Sequence, residues 1–265
     1  MLYYQESALQ LPEISNRFRI NLKYAHFYRI RESLWDLATS SVDRPIRVLD
    51  LACGPGNMAI FCIDSNKIDW FGIELWPNEL RQAAQTRAYQ GLIQGNLVQR
   101  LPLKVQVADA VVLNEILMYL DNSGELLSEV FKVLKPSGLL YVYNPVYLTP
   151  NLLSIIKRAG RRIYPSSEAV SFDRDCNWKN ASRASRINFY SFDSLASEIK
   201  KAGFQILEAT GFRLFRNRIR LMKKLERFDL YRNITKKLAK RFPRLASDIL
   251  VIARKPADLS LERKF

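Results

Sequence analysis

The chain has 265 residues, 48% apolar and 25% charged, a balance that supports a folded core and excludes disordered and fibrous chains. No apolar run approaches the roughly 18–20 residues of a membrane-spanning helix, and three cysteines (Cys53, Cys62, Cys176) without metal-like spacing exclude a disulfide framework and a zinc site. The net charge of +15 is uneven: residues 1–150 carry −1, residues 151–210 carry +4 and residues 211–265 carry +12. A basic C-terminal part implies an anionic partner, either lipid headgroups or nucleic acid, or else a solvated face that aids solubility.

The opening MLYYQESALQLPEIS has no basic or apolar leader region, so no signal peptide is expected and a reducing cytoplasm is the expected compartment. Residues 15–38 read as an amphipathic helix, with Phe18, Leu22, Phe27, Ile30, Leu34 and Leu37 at helical spacing. Arg47–Ala52 is a short apolar strand ending in a Gly-Pro-Gly turn, and Asn57–Asp64 resumes as a helix. Asp69–Leu75 reads as a second strand, Pro77–Tyr89 as a helix and Gly91–Leu97 as a third strand. A fourth strand spans Ala110–Asn114, a helix spans Leu126–Leu134 and a fifth strand spans Leu139–Tyr143. Asn144-Pro145-Val146-Tyr147 reads as a turn. Phe192–Ala202 is a helix capped by Gly203, and Phe204–Phe212 and Ile249–Ala253 are the last strands. Such alternation predicts an α/β fold with a mostly parallel sheet covered on both faces.

Two stretches break the alternation. Residues 144–190 are long and irregular, with KRAGRR at 157–162. Residues 213–247 place Phe215, Ile219, Met222, Leu225, Phe228, Tyr231, Ile234, Leu238 and Phe242 on one stripe, with Arg and Lys opposite. A basic amphipathic helix suits an anionic membrane interface. Phe and Arg interleaved at 212–220 also suit RNA, although no RNA-module signature is present.

The sharpest motif is DLACGPGN, Asp50 to Asn57: a strand, a glycine turn, then a helix. In a doubly wound sheet that turn lies at the carboxyl edge, where ligands bind. Gly54 and Gly56 let the backbone approach a ligand, and the helix behind them aims N–H groups at it. Eighteen residues beyond Gly56, Glu74 ends the second strand, where a carboxylate can accept both hydroxyls of a ribose. The run Gly54-Pro55-Gly56-Asn57-Met58-Ala59 departs from the G-x-G-x-x-G of dinucleotide sites, which argues against NAD.

From about Arg47 to Gly203, and again at 249–253, the chain resembles the class I S-adenosylmethionine-dependent methyltransferases, in particular the small-molecule group called type 11. VLDLACGPG, GIELWPNELRQA (72–83), IQGNLVQRLPL (93–103), ADAVVLNEILMYLDN (108–122) and VLKPSGLLYV (133–142) are similar to that family's successive motifs. The resemblance implies a Rossmann-like seven-stranded sheet of order 3-2-1-4-5-7-6, with the last strand antiparallel. One domain is expected: an N-terminal helical cap (1–45), a cofactor-binding core (46–143), a substrate-side insert (144–190) and a C-terminal part (191–265) carrying the basic insert.

The resemblance also implies roles. Asp50 and the backbone of Ala52 and Gly54 would hold the methionine end of S-adenosylmethionine, and Gly56 would line it. Glu74 would take the ribose hydroxyls and Leu75 would pack on adenine. Asn96 would reach the adenine amino group, and Leu97 would offer its N–H. Asn114 and Glu115 would sit near the sulfonium and the acceptor. Ala52 replaces a frequent glycine, Asn96 a usual aspartate, and Trp76 is large for its place beside the adenine slot. Asn96 also reads as a plain turn residue, Glu115 as a helix-start residue without chemistry, and Cys53 as a small buried residue.

His26, the only histidine, reads either as a base for a hydroxyl acceptor or as a surface or capping residue. Tyr24, Tyr28 and Tyr119 read as acceptor-pocket or core aromatics. No Asn/Asp-Pro-Pro-aromatic loop follows strand four and no cysteine nucleophile lies near it, so DNA amino- and C5-methylation are not expected. INFYSFDSLASEIKKAGF (187–204) and FPRLASDILVIARKP (242–256) are similar to methyltransferases of glycan and lipid pathways. The expected reaction is methyl transfer from S-adenosylmethionine to a small-molecule, glycan or lipid-linked acceptor at a hydroxyl. RNA methylation and a non-catalytic partner-subunit role are the alternatives, and no metal is expected. The expected location is cytoplasmic, with possible contact at the inner membrane face.

Overall fold

The computed structural model describes residues 25–41, 43–62, 66–98, 100–146, 190–214, 225 and 228–257. Seven strands form one sheet: β1 (Ile46–Leu51), β2 (Ile68–Glu74), β3 (Tyr89–Gln94), β4 (Ala108–Asn114), β5 (Leu134–Pro145), β6 (Gln205–Arg213) and β7 (Asp248–Arg254). Their order is β3-β2-β1-β4-β5-β7-β6. The pairs from β3 to β5 are parallel, and β7 runs antiparallel between β5 and β6. This is the Rossmann-like arrangement expected above. The described helices are α1 (Ala25–Ser40), α2 (Asn57–Phe61), α3 (Pro77–Gln85), α4 (Ser123–Val133), α5 (Phe192–Lys201) and α6 (Asp229–Arg241).

The apolar runs of β1 and β4 follow from position. Central parallel strands are covered on both faces, so successive residues enter two different cores. Val48 of β1 and Ala110 and Val112 of β4 pack with Phe27, Ile30 and Leu34 of α1 and with Met58 and Phe61 of α2. Leu49, Leu51, Val111 and Leu113 point the other way, to Leu126, Leu127 and Val130 of α4 and Ile199 of α5. Each of these fully buried aliphatics contributes about 1.5–3 kcal/mol. At the edge, β3 lacks one cover, and its residues are exposed or half-buried.

Ends are set locally. Gly203 closes α5 at φ +95°, the expected left-handed cap. Ser191 and Ser194 exchange hydrogen bonds as a capping box at the start of α5. At the amino edge of the sheet, Asp109 accepts from Arg44 at 2.7 and 2.9 Å, from Lys135 at 2.8 Å and from the Arg47 N–H at 2.8 Å. Arg213 of β6 and Asp248 of β7 form a buried ion pair at the other end of their strands.

Several boundaries differ from expectation. Helix α3 stops at Gln85 because Arg87 turns left-handed (φ +56°), and Tyr89 already belongs to β3. Strand β3 ends at Gln94, so Asn96 and Leu97 lie on the following loop. Strand β5 begins at Leu134, and Lys135–Gly138 bulge out of its pairing with β4. Asn144 and Pro145 are not a turn: they continue β5, paired with Ile249 and Asp248, and Asn144 is fully buried. Pro145 fits there because it ends the strand. Of the expected N-terminal helix, Phe18 and Leu22 lie outside the described residues, as do Tyr24, Cys176 and nearly all of the 144–190 insert.

The 213–247 stripe is described only in its last part. Its part from Phe215 to Met222 lies outside the described residues. In α6, Thr235 and Ala239 face inward, and Gly211 of β6 lets the Ala239 backbone approach: a Cβ there would stand 2.5 Å from its carbonyl oxygen. Ile234, Leu238 and Phe242 are exposed, so small residues rather than the large apolar stripe make the seat.

Candidate functional site

Parallel strands bring their carboxyl ends to one edge. Leu51 pairs with Ile73 on one side and with Leu113 on the other. The next residues along these strands, Ala52, Glu74 and Asn114, therefore emerge side by side from three different strands.

The β1–α2 loop is bent by alternate left-handed residues: Ala52 at φ +60°, Gly54 at +54° and Gly56 at +86°. Glycine takes this conformation without strain, whereas Ala52 takes it at a cost of about 1 kcal/mol. Non-glycine strain persists where the surroundings hold it, and here they do. The N–H groups of Ala52 and Cys53 both donate to the Ile73 carbonyl, at 2.8 and 3.2 Å. Gly56 serves packing too, since a Cβ there would stand 3.0 Å from the Tyr89 ring.

Glu74 is buried at the end of β2 and joins the loop to its neighbours. Its Oε2 accepts from the Gly54 N–H at 2.8 Å and its Oε1 from the Trp76 N–H at 2.9 Å. Leu75 and Trp76 follow it, both half-buried. Asp50 is buried beside it, and its Oδ2 accepts from the Tyr89 hydroxyl at 2.8 Å. Tyr89 reaches across β2 because the intervening residue is Gly72, where a Cβ would lie 3.1 Å from its ring and 2.9 Å from Cys53 Sγ.

The electrostatics are unbalanced. Burial pushes the Asp50 carboxyl up to about 7; the Tyr89 hydrogen bond draws it down and the charge of Glu74 pushes it up. Burial, then Glu74, also raises the carboxyl of Glu79 in the first turn of α3. The Cys53 thiol is pushed up by burial and the same carboxylates, so it is a small buried residue and not a reactive thiolate. Among the described residues, neither Asp50 nor Glu74 has an ion-pair partner. Two buried carboxylates without a cation, beside a loop of close-approach backbone, fit a ligand that brings positive charge. S-adenosylmethionine, with a sulfonium and an ammonium, is such a ligand.

The remaining expected residues form two further groups. Asn96 and Leu97 follow β3, whose end is tied to β2 by the Gly95 N–H donating to the Glu74 carbonyl at 3.0 Å. Asn96 Oδ1 accepts from the Val98 N–H at 3.0 Å, which is the turn role, while Leu97 is buried. At the end of β4, Glu115 stands in the left-handed region (φ +58°), and its N–H donates to the Tyr143 carbonyl at 2.7 Å. The short 3-10 turn Leu117–Tyr119 begins only after Ile116, so Glu115 is a strained strand-end residue rather than a helix start.

His26 is neither a surface nor a capping residue: it is 2% exposed. Its Nε2 donates to Asn114 Oδ1 at 3.0 Å, and its ring stacks on Tyr143 with centroids 3.3 Å apart and planes 5° apart. Helix α1 is thereby fixed over the ends of β4 and β5. Tyr28 packs edge-on to Phe61 at 4.8 Å and belongs to the core, while Tyr119 is partly exposed near the β4 end. Sequence reasoning missed Tyr89, Tyr143 and Glu79. Only the register, which puts Gly72 opposite Asp50, places Tyr89 within reach.

Residues 49–142 match the family model described as a methyltransferase domain, type 11. A curated relative, methyltransferase phqN of Penicillium fellutanum, is 31% identical over 141 residues, which are 47% of this chain and 43% of that one. The matches span 43%, 66% and 41% of the length of three curated relatives. Among solved structures, the [4+2]-cyclase SpnF is 18% identical, with 87% of this chain and 81% of that chain covered and a TM-score of 0.56. An S-adenosylmethionine-dependent methyltransferase from Mesorhizobium loti is 19% identical, with 83% and 95% covered and a TM-score of 0.52. At such identities the structural likeness speaks for the fold alone, and a fold hosts more than one reaction.

Proposed function

We propose that the chain, whose residues 49–142 match a methyltransferase-domain model, is a class I, type 11 methyltransferase that uses S-adenosylmethionine and methylates a hydroxyl of a small-molecule, glycan or lipid-linked acceptor. The observation that carries the reading is the edge where Asp50, the left-handed loop and Glu74 meet Asn114 and Glu115. Asp50 and the backbone of Ala52 and Gly54 would hold the methionine end, and Glu74 the ribose. Leu75 and Leu97 would flank the adenine, with the Asn96 side-chain amide at its edge. When bound, the cofactor supplies a methyl group already activated by its sulfonium.

The chain then has to align the acceptor, exclude water and receive one proton. Helix α1 does the excluding, pinned by His26 against Asn114 and Tyr143. Glu115, half-buried at the β4 end, takes the proton of the acceptor hydroxyl as its oxygen gains the methyl group. His26 is a positioning residue in this account: it holds the Asn114 amide in one orientation.

Two measurements test it. Incubation with methyl-labelled S-adenosylmethionine and separated lipid, glycan, small-molecule and RNA fractions should place the label in one of the first three; label confined to RNA overturns the acceptor class. Glu115→Gln should lower kcat about a hundredfold with cofactor affinity unchanged. An unaltered kcat removes Glu115 from the proton step.

A further inference from the structure

A second surface lies at the other end of the sheet. Strand β6 is an edge strand, and α6 packs against it through Thr235 and Ala239. That seat leaves the larger side chains outside. Of the twelve large hydrophobic side chains exposed among the described residues, six fall between residues 228 and 245. Leu230 is 72% exposed, Ile234 48% and Leu238 42%; at i, i+4 and i+8 they form one row along the helix. Phe228, Phe242 and Leu245 extend it at the two ends, exposed by 63%, 49% and 49%. Scattered exposed leucines need no explanation, but a contiguous row does.

The charge around the row has one sign. Residues 228–247 contain Arg232, Lys236, Lys237, Lys240, Arg241 and Arg244 against a single acid, Asp229. Asp229 pairs with Arg232, and Arg244 pairs with Asp193 at 3.0 Å. Among the described residues, Lys236, Lys237 and Arg241 have no ion pair. At 100° per residue, Lys237 and Arg241 border the Leu230–Ile234–Leu238 row, and their alkyl stems can lie along apolar surface while the charges stay in water.

We propose that this face of α6, with the turn after it, is a membrane-docking surface for anionic lipid headgroups. The two features point to the same occupant: an aliphatic row enters the acyl boundary while the cations bordering it meet lipid phosphates. RNA would use the cations but gains nothing from Leu230, Ile234, Leu238 and Leu245, because base stacking needs aromatic or guanidinium planes. The surface is distinct from the ligand edge near β1, four strands or about 19 Å away across the sheet. It stands whether or not the acceptor is a lipid.

The test is co-sedimentation of the full chain with phosphatidylcholine vesicles, with and without one third phosphatidylglycerol, at low and high salt. Binding to the anionic vesicles should exceed binding to the neutral ones at least tenfold and weaken with salt. Leu230→Glu with Ile234→Glu and Leu238→Glu should lower it at least tenfold, and Lys236→Glu with Lys237→Glu and Arg241→Glu should do the same. All six side chains are exposed, so the thermal melting of both variants should match the parent. Equal partitioning of parent and apolar-row variant overturns the proposal. So does complete displacement of the parent by bulk RNA when the apolar-row variant still binds that RNA fully.

Discussion

Two aspartates on neighbouring strands show how one sheet treats its two edges. Asp50 lies near the carboxyl end of β1 and Asp109 near the amino end of β4. Burial pushes both carboxyls up. At Asp109 the hydrogen bonds from Arg44, the Arg47 N–H and Lys135 outweigh burial and hold the group at about 2. At Asp50 one neutral hydroxyl does not outweigh burial, Glu74 adds to it, and the group rises to about 7. The amino edge is neutralised within the chain and serves stability. The carboxyl edge keeps a charge imbalance that a cationic ligand can resolve.

The comparison breaks first at Glu74. Glu74→Ala removes the acceptor of the Gly54 and Trp76 N–H groups and the expected ribose contact. Cofactor affinity measured by calorimetry should fall about a hundredfold, in line with roughly 2–3 kcal/mol for charge-assisted hydrogen bonds. Unchanged affinity would place the cofactor elsewhere.

Asp50 comes next. Its folded value near 7 lies above the ordinary 3.8, so the folded chain binds the extra proton between those values. Stability therefore falls as pH rises from about 4 to 7, and the loss persists above 7. Asp50→Asn should recover about 1–3 kcal/mol of apo stability at pH 8 in thermal or denaturant melts. In the parent, cofactor affinity should fall as pH drops from 8 to 6, because a neutral Asp50 no longer attracts the cationic ligand. In the variant it should be weak and flat.

Asp109 should behave in the opposite sense. Its lowered value means stability present above about 4 and lost as pH falls towards 2. Asp109→Asn should cost about 1–2 kcal/mol at pH 7, the lower end being favoured by screening because Arg44 is 44% exposed. Cofactor affinity should not change.

The smallest effect is at Tyr89. Tyr89→Phe removes the hydroxyl that draws the Asp50 carboxyl down. The pH midpoint of cofactor binding should shift upward by roughly half a unit, about 0.7 kcal/mol. A downward shift would mean that the hydroxyl does not stabilise the carboxylate.

Much of the carboxyl edge was legible beforehand. A strand, a glycine turn and a helix place Asp50 to Gly56 by local rules alone, and Glu74 follows at the end of the next strand. The second group was legible only as names. His26 reads equally as surface or site until the register of β4 and β5 brings Asn114 and Tyr143 beneath it. Asn144-Pro145 carries turn chemistry, yet pairing with β7 draws both into β5, because a free strand edge and a buried amide cost more than the turn gains. In α6 the apolar stripe was legible from its spacing, but its seat on β6 was not: close approach at Gly211 favours Thr235 and Ala239 over larger neighbours.

The sequence by itself determined the alternation of strands and helices, the glycine loop with its following carboxylate, and the concentration of positive charge in the last fifty-five residues. These depend on residue spacing, backbone freedom at glycine and counts of charge, all local quantities. Only the tertiary structure decided that Tyr89 reaches Asp50, that His26 is buried against Asn114, that Glu115 is strained, and that α6 presents its aliphatic row outward. Each depends on which residues of distant segments share a strand register or a packing face, and that is settled by the fold as a whole.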